Sequence, residues 1–421
     1  MHIVFATTEF MTEKGYDGGL ANYLAKASQI LSEHGHRVTV VVLSTDNQII
    51  EYRKNIRVAR VLQGTVEIDF ILRHIKSDIL RRTLSCCWNS YKINRKIKAI
   101  HREDKVDMVQ YCHLSALGLF RTKIPSVVRM SSFGPTMQLI SAVDFQPGKG
   151  RLQINALDKL DMIAMKRADG IFAPSMLNAR LVERTVGIKV NVLETPAMGV
   201  DCDKIKNVPM ELAGKKYFLF FGTMSGIKGL KTIVNAIYQI LDKNPGFDFV
   251  FVGKDCGVSM KEGVKSPAIK KLKEAAKEHG DRIIYLQTIK DRERLNSIIY
   301  HASLCILPYR LENLPNTCIE AMELGQIVIS TYKSGISQLI RDGYNGFLVE
   351  QNDEEALVNK ISKVLQLSCE EKKRISKNAQ KRVAKMSPEN FYQYMMQYYE
   401  DVMSRRKKLR RNGENNEKKI I

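Results

Sequence analysis

A chain of 421 residues with 44% hydrophobic content is too long for one ordinary core and is expected to form two domains of about 200 residues each. Its net charge of +21 is unusual, yet no helix-turn-helix, RNP-like aromatic strand or finger spacing accompanies it, so nucleic acid is not an expected partner. No uninterrupted apolar stretch reaches the ~18 residues of a spanning helix. The N-terminus turns polar too early for a signal peptide, and eight cysteines without a C-x-x-C pair fit a reduced, cytoplasmic protein.

Strand and helix signals then alternate, as in parallel doubly wound sheets. His2 to Thr7 reads as a first strand, followed by a loop ending in Gly18-Gly19 and an amphipathic helix from Leu20 to about His34. Arg37 to Ser44 is a β-branched run suited to a buried strand. Further strands are expected at Ile56–Val61, Met108–Cys112, Ser126–Met130 and Gly170–Ala173. From Phe70 to Arg102 the pattern is one long helix with apolar and basic faces, carrying Arg73, Lys76, Arg81, Arg82, Arg95 and Lys98 with Asp78 as its acid. Such a helix suits an anionic membrane surface, or else packs its apolar face on a sheet. Phe133 to Gly150 is a long loop of a kind that is often functional.

The alternation lapses between Thr195 and Glu211, where a hinge is expected, and restarts with strands at Tyr217–Gly222, Phe247–Val252, Ile283–Leu286, Leu304–Leu307 and Ile327–Ser330. After Asp353 the chain reads as helical to about Arg411. Ser387 is placed as an N-cap and Pro388 at the first helical position, and Phe391, Tyr392, Tyr394, Tyr398 and Tyr399 form a packing face. The run from Arg405 to Arg411 is either solvated or a second anionic-surface contact. The expected division is 1–198, 199–387, a last helix over 388–411 and a polar tail at 412–421.

The segment from Pro308 to Gly325 carries the most chemistry. It reads as a strand end, a tight loop and a helix beginning at Pro315, whose missing N–H suits that position. The N–H groups of Asn316, Thr317 and Cys318 would make an end that attracts phosphate. Glu312 and Glu320 flank it, and a carboxylate is a good acceptor for paired sugar hydroxyls. A second turn, Gly222-Thr223-Met-Ser-Gly226-Ile-Lys228-Gly229, lets backbone and one cation approach a pyrophosphate. Gly18-Gly19 and His113 each follow a strand, where open sheets place ligands. The two acids could also suggest a glycosidase, but the phosphate cradle between them makes that reading inferior.

The E-x7-E pattern of Glu312 and Glu320 has Asn313-Leu314-Pro-Asn at the helix start and Ala-Met-Glu-Leu-Gly325 after it. Gly335, Asp342-Gly343 and Asn345–Val349 lie beyond. In this setting the segment resembles the family 4 glycosyltransferases of the GT-B fold. The resemblance implies an α/β chain of two Rossmann-like doubly wound domains facing a central cleft. The N-terminal domain would bind the acceptor and the C-terminal one the donor, with the last helix crossing back to the N-terminal domain. It implies retaining transfer of a hexosyl or N-acetylhexosaminyl group from a UDP- or GDP-sugar, without metal or other cofactor. The catalytic group is then Glu312, His113 and Lys228. The donor-binding group is Gly18, Gly19, Gly222, Thr223, Lys228, Asn313, Leu314, Asn316, Thr317 and Glu320.

The glycine turn is similar to the family's G-R-x(4)-K-G, with Thr223 at the Arg position; Arg310 or Lys254 is a candidate to supply the missing charge. Asp201-Cys-Asp203 matches the family's Gly-Val-Asp stretch rather than a metal site. Arg129, Ser131 and Ser132 are candidate acceptor contacts. The expected acceptor is a glycan or lipid-linked envelope intermediate, handled by a cytoplasmic protein peripheral to the inner membrane face. The alternatives are a GT-B nucleotide-sugar epimerase and a non-catalytic nucleotide-sugar-binding partner.

Overall fold

Strands covered on both faces need near-continuous runs of β-branched and aromatic residues, and the chain supplies two sets of them. The computed structural model describes residues 1–14, 18–64, 68–135, 154–202, 205, 207–261 and 264–417. Most of the expected loop from Phe133 to Gly150, Asp203, and the side chains from 410 onward lie outside the described residues. Two compact units are present. The described residues of the first fall within Met1–Thr136, Leu152–Pro196 and Pro388–Ile421, and those of the second within Ala197–Ser387.

The first unit contains β1 (His2–Thr7), β2 (Arg37–Ser44), β3 (Ile49–Arg53), β4 (Ile56–Leu62), β5 (Met108–Cys112), β6 (Ser126–Arg129), β7 (Gly170–Ala173) and β8 (Asn191–Val192). They form one sheet in the order β3-β4-β2-β1-β5-β6-β7-β8, parallel except where β3 pairs antiparallel with β4. The sequence reading did not include β3. It is a short edge strand with alternating exposure, turned back through Asn55 at φ 59°. β1 has β2 on one side and β5 on the other, Ile3 standing opposite both Val38 and Met108. That reversal is the topological switch point of the sheet. The loop carrying Gly18-Gly19 leaves β1, and His113 leaves β5, at the ends where such sheets bind ligands.

The basic stretch is not the single helix expected. It forms Asp69–Leu72 and then Asp78–Glu103. Ser77 is extended and its side chain accepts from the Leu80 N–H, which starts the second helix afresh. That helix buries Ile93, Ile97 and Ile100, and Asn94 fastens it: the Tyr111 hydroxyl donates to Asn94 Oδ1 at 2.6 Å, and Asn94 Nδ2 donates to the Leu117 carbonyl at 2.8 Å. Phe70, Ile71, Ile79 and Leu80 stay exposed, Phe70 to 78%.

The helix Pro388–Glu417 belongs to the first unit. Tyr399 donates to Gln110 on β5 at 2.8 Å, Phe391 meets Tyr23 edge-on at 6.2 Å, and Tyr392 stacks on His34 at 3.7 Å. Tyr394 departs from the expected packing face and is exposed. Arg406 is no solvated charge either: it pairs with Asp169 and donates to the Ile124 carbonyl at 3.1 Å.

The second unit contains β9 (Lys216–Phe221), β10 (Phe247–Val252), β11 (Val258–Lys261), β12 (Val264–Ser266), β13 (Ile283–Tyr285), β14 (Leu304–Ile306), β15 (Val328–Thr331) and β16 (Phe347–Val349). Six of them run parallel in the order β13-β10-β9-β14-β15-β16, while β11 and β12 form a separate antiparallel pair. Phe218 and Phe220 on β9 and Phe249 and Phe251 on β10 are fully buried, the last two stacked at 4.5 Å. β9 has β10 on one side and β14 on the other, so this sheet too reverses at a switch point. Two helices close the unit, Glu354–Leu365 capped by Asp353 and Cys369–Ala384 capped by a Ser368–Glu371 capping box.

Candidate active site

Two turns leave the switch point of the second unit, one after β9 and one after β14, and glycine brings them into contact. Gly229 has φ +81°, and a Cβ there would lie 1.9 Å from the Pro308 carbonyl oxygen. Gly222 has φ +114°, and its Cβ would approach Thr317 to 3.3 Å. Only glycine meets both demands, a left-handed backbone and a neighbouring chain at atomic contact. Arg310 N–H donates to the Ile227 carbonyl at 2.9 Å, and Gly335 N–H to the Glu312 carbonyl at 2.8 Å.

This contact sets the side chains. The Lys228 ammonium pairs with the Glu312 carboxylate and lies 4.9 Å from the centre of the Tyr309 ring. The Tyr309 hydroxyl meets Thr317 Oγ1 at 2.6 Å. Lys228 is 26% exposed. Enclosure lowers its ammonium to about 8, while the touching carboxylate favours the charged form.

The helix spans Asn316–Glu323, with Pro315 as its N-cap rather than its first helical residue. The extended backbone at Pro315 (ψ 127°) delays the helix by one position, and no side chain caps it. The N–H groups of Asn316, Thr317 and Cys318 therefore form an uncapped end beside Lys228 and Glu312. Glu320 is one turn further on, buried to 8% exposure, with Arg292 Nη2 on its carboxylate at 2.8 Å. Sequence reading missed Arg292. It opens the helix Arg292–Tyr300 after the Asp291 cap, and no local pattern links it to Glu320.

The other expected donor contacts of this unit divide by burial. Thr223 is exposed, Asn313 is half-buried, and Leu314 is enclosed in the apolar core. Of the two candidates for the missing charge, Arg310 is buried beneath the turn and Lys254 is exposed.

Gly18, Gly19 and His113 belong to the first unit. Gly18 is the N-cap of the helix Gly19–Glu33; a Cβ on it would come within 3.3 Å of Glu9, whereas a Cβ on Gly19 would meet nothing within 4 Å. His113 is 5% exposed and both ring nitrogens are engaged. Nδ1 accepts from the Ser131 N–H at 3.2 Å, and Nε2 faces Ser132 Oγ at 3.2 Å. Burial, helped by the Arg129 cation, pushes its imidazole down to about 3, so it is neutral at physiological pH. Arg129 lies over the Tyr23 ring at 3.5 Å and donates to Ser131 Oγ at 2.6 Å. The serines expected to touch an acceptor are thus tied to His113 and Arg129.

The comparisons with known proteins agree with this geometry. Residues 202–382 match the family described as Glycosyl transferases group 1, a stretch that covers both turns and the helix behind them. The lipopolysaccharide 1,2-N-acetylglucosaminetransferase of Salmonella typhimurium is 29% identical over 178 residues, 42% of this chain and 45% of that protein. The 2-deoxystreptamine N-acetyl-D-glucosaminyltransferase of Niallia circulans is 26% identical over 167 residues, 39% of this chain and 40% of its own length. The matched stretch is thus less than half of those curated relatives. Among solved structures, the sucrose-phosphate synthase of Thermosynechococcus elongatus superposes with a TM-score of 0.72 at 19% identity, covering 95% of this chain and 99% of its own. Anabaena HepE in complex with UDP gives 0.67 at 15% identity, covering 95% and 100%. The fold is the GT-B fold, and residues 202–382 of its second unit are similar to the glycosyl transferases group 1 family. Among the described residues, no helix is long and apolar enough to cross a membrane.

Proposed function

We propose that the chain is a retaining glycosyltransferase that moves a sugar from a nucleotide-diphosphate donor to an acceptor hydroxyl. One observation carries this reading: Lys228, Glu312 and the uncapped helix end meet at the switch point of the second unit, with Glu320 one turn beyond. A cation and aligned N–H donors suit a diphosphate, and the acids on either side suit hydroxyls of sugar and ribose. In the reaction, the bond from the sugar to the leaving phosphate oxygen breaks and a bond to the acceptor oxygen forms. The acceptor proton passes to the leaving phosphate. Lys228 and the helix end stabilise the charge that grows there, so the reading calls for no metal.

Two of the relatives are named as N-acetylglucosamine transferases, and this favours a UDP-N-acetylhexosamine as the first donor to test. The acceptor is proposed to be a lipid-linked or envelope-polysaccharide intermediate at the inner membrane face. The exposed Phe70, Ile71, Ile79 and Leu80 beside Arg73, Lys76, Arg81 and Arg82 support that placement.

The test is a thermal-shift screen of UDP-, GDP- and ADP-sugars followed by transfer assays, with and without acceptor and with EDTA. One nucleotide class should stabilise the protein, and transfer should need acceptor and survive EDTA. Donor turnover without acceptor would instead favour an epimerase. Binding without turnover would favour a nucleotide-sugar-binding partner, to which Thr223 in the expected Arg position lends support.

A further inference from the structure

The helix Asp78–Glu103 carries a stripe that the transfer chemistry does not use. Leu80, Leu84, Trp88 and Tyr91 recur at steps of three and four and so share one face. Arg95, Lys98 and Arg102 continue the same face. The first half of the stripe is therefore apolar and the second half basic. At the junction lies a surface cavity of about 870 Å³, lined by Tyr91, Arg95, Lys98 and Arg102 from the helix and by Phe120, Arg121 and Arg167 from elsewhere in the first unit.

Two of these cations are satisfied internally. Arg121 pairs with Asp169 at 3.2 Å, and Arg167 donates to the Leu119 carbonyl at 2.6 Å. Arg95, Lys98 and Arg102 are exposed and form no ion pair among the described residues, and no carboxylate lines the cavity. Like charges one helical turn apart repel each other, a cost that a bound anion offsets. The exposed Tyr91 and Phe120 rings beside the cations suit a ligand whose anionic group is joined to an apolar body.

We propose that this cavity receives the phosphate of an anionic membrane-lipid headgroup, with the lipid body lying toward the apolar half of the stripe. The site rests on the reading of the basic face as membrane-facing and is independent of the donor chemistry. The chain's one tryptophan, Trp88, stacks on Tyr91 at 5.4 Å and so reports directly on the cavity.

The experiment follows Trp88 emission of the full chain as monomeric dihexanoyl-phosphatidylglycerol, dihexanoyl-phosphatidylcholine or inorganic phosphate is added. A saturable change with the glycerol lipid alone is expected. It should weaken on the order of 30-fold in Lys98→Gln/Arg102→Gln, and persist in the control Lys373→Gln/Lys377→Gln, at two exposed lysines of the second unit. Circular dichroism verifies that both variants fold. An equal response to the choline lipid, saturation by phosphate alone, unchanged binding in the first variant, or equal loss in both would each overturn the proposal. Cosedimentation with phosphatidylglycerol-containing bilayers separates the two levels. Binding that ignores the first variant removes the cavity and keeps the membrane surface; no binding by the unaltered chain removes both.

Discussion

Lys228 and Glu312 stand 84 positions apart in sequence and meet as an ion pair over the ring of Tyr309. The pairing gives the proposed reaction a defined exchange. A diphosphate at Lys228 replaces one anion by another and frees the Glu312 carboxylate for the hydroxyls of the donor sugar. The low polarity that lowers the Lys228 ammonium also strengthens its attraction to either anion.

Glu312→Ala should lower transfer by at least about a hundredfold, in the range seen when a group acting in the transition state is lost. The melting temperature should move little, because a partly exposed pair is worth roughly 1 kcal/mol or less. Turnover assays and a thermal melt read the two effects, and unchanged turnover would reject the role given to this acid.

The pH dependence of donor binding follows from Lys228. Burial lowers its ammonium to about 8, so the charge proposed to attract the diphosphate is lost as pH rises through that value. KM for the donor should climb above about pH 8 in the native enzyme. In Lys228→Arg the guanidinium stays charged and the climb should vanish, whatever the absolute rate. A profile that keeps the same break in the variant would trace the titration to another group.

Arg292 holds the buried Glu320 at 2.8 Å. If Glu320 receives the ribose, Arg292→Gln should raise the donor KM about threefold to tenfold and leave kcat nearly unchanged, as befits a half-exposed partner. Calorimetry with the free nucleotide should show the same loss. A fall in kcat at constant KM would place Arg292 in the chemical step instead.

Asp161 is expected to contribute to the pH dependence of the first unit's stability. It lies on the helix Ala156–Arg167 and accepts the Ala116 N–H at 2.6 Å, holding a turn in which Ser115 and Ala116 have φ of 61° and 47°. Burial pushes its carboxyl up to about 7, from 3.8. The folded unit therefore keeps a proton that the unfolded chain releases, and stability falls as pH rises between those values. Asp161→Asn keeps an acceptor without the charge. It should raise stability by on the order of 2 kcal/mol at pH 8 and by less at pH 5. Equal melting shifts at both pH values would contradict this account.

Much of this protein is written in short stretches of sequence. A strand, a glycine turn and an amphipathic helix are set by neighbours a few residues apart, so β9, β14 and the helix behind Glu312 and Glu320 could be located by pattern alone. β3 and β16 escaped because runs of five and three residues are too short to carry a periodic signal. The break at Ser77 escaped because a capping serine inside a continuous helical pattern looks like any other polar position.

The amino-acid order determined which residues reach the strand ends; the packing of the sheets decided their electrostatic company. Because β9 and β14 are adjacent, Lys228 finds Glu312, and because the helix opened by Arg292 packs where it does, Glu320 acquires a cation. His113 is neutral because burial and the Arg129 cation make it so, and Arg406, in a run read as either solvated or a surface contact, is taken by Asp169. Charge state depends on solvent exclusion and on partners distant in sequence, and those exist only once the chain has closed on itself.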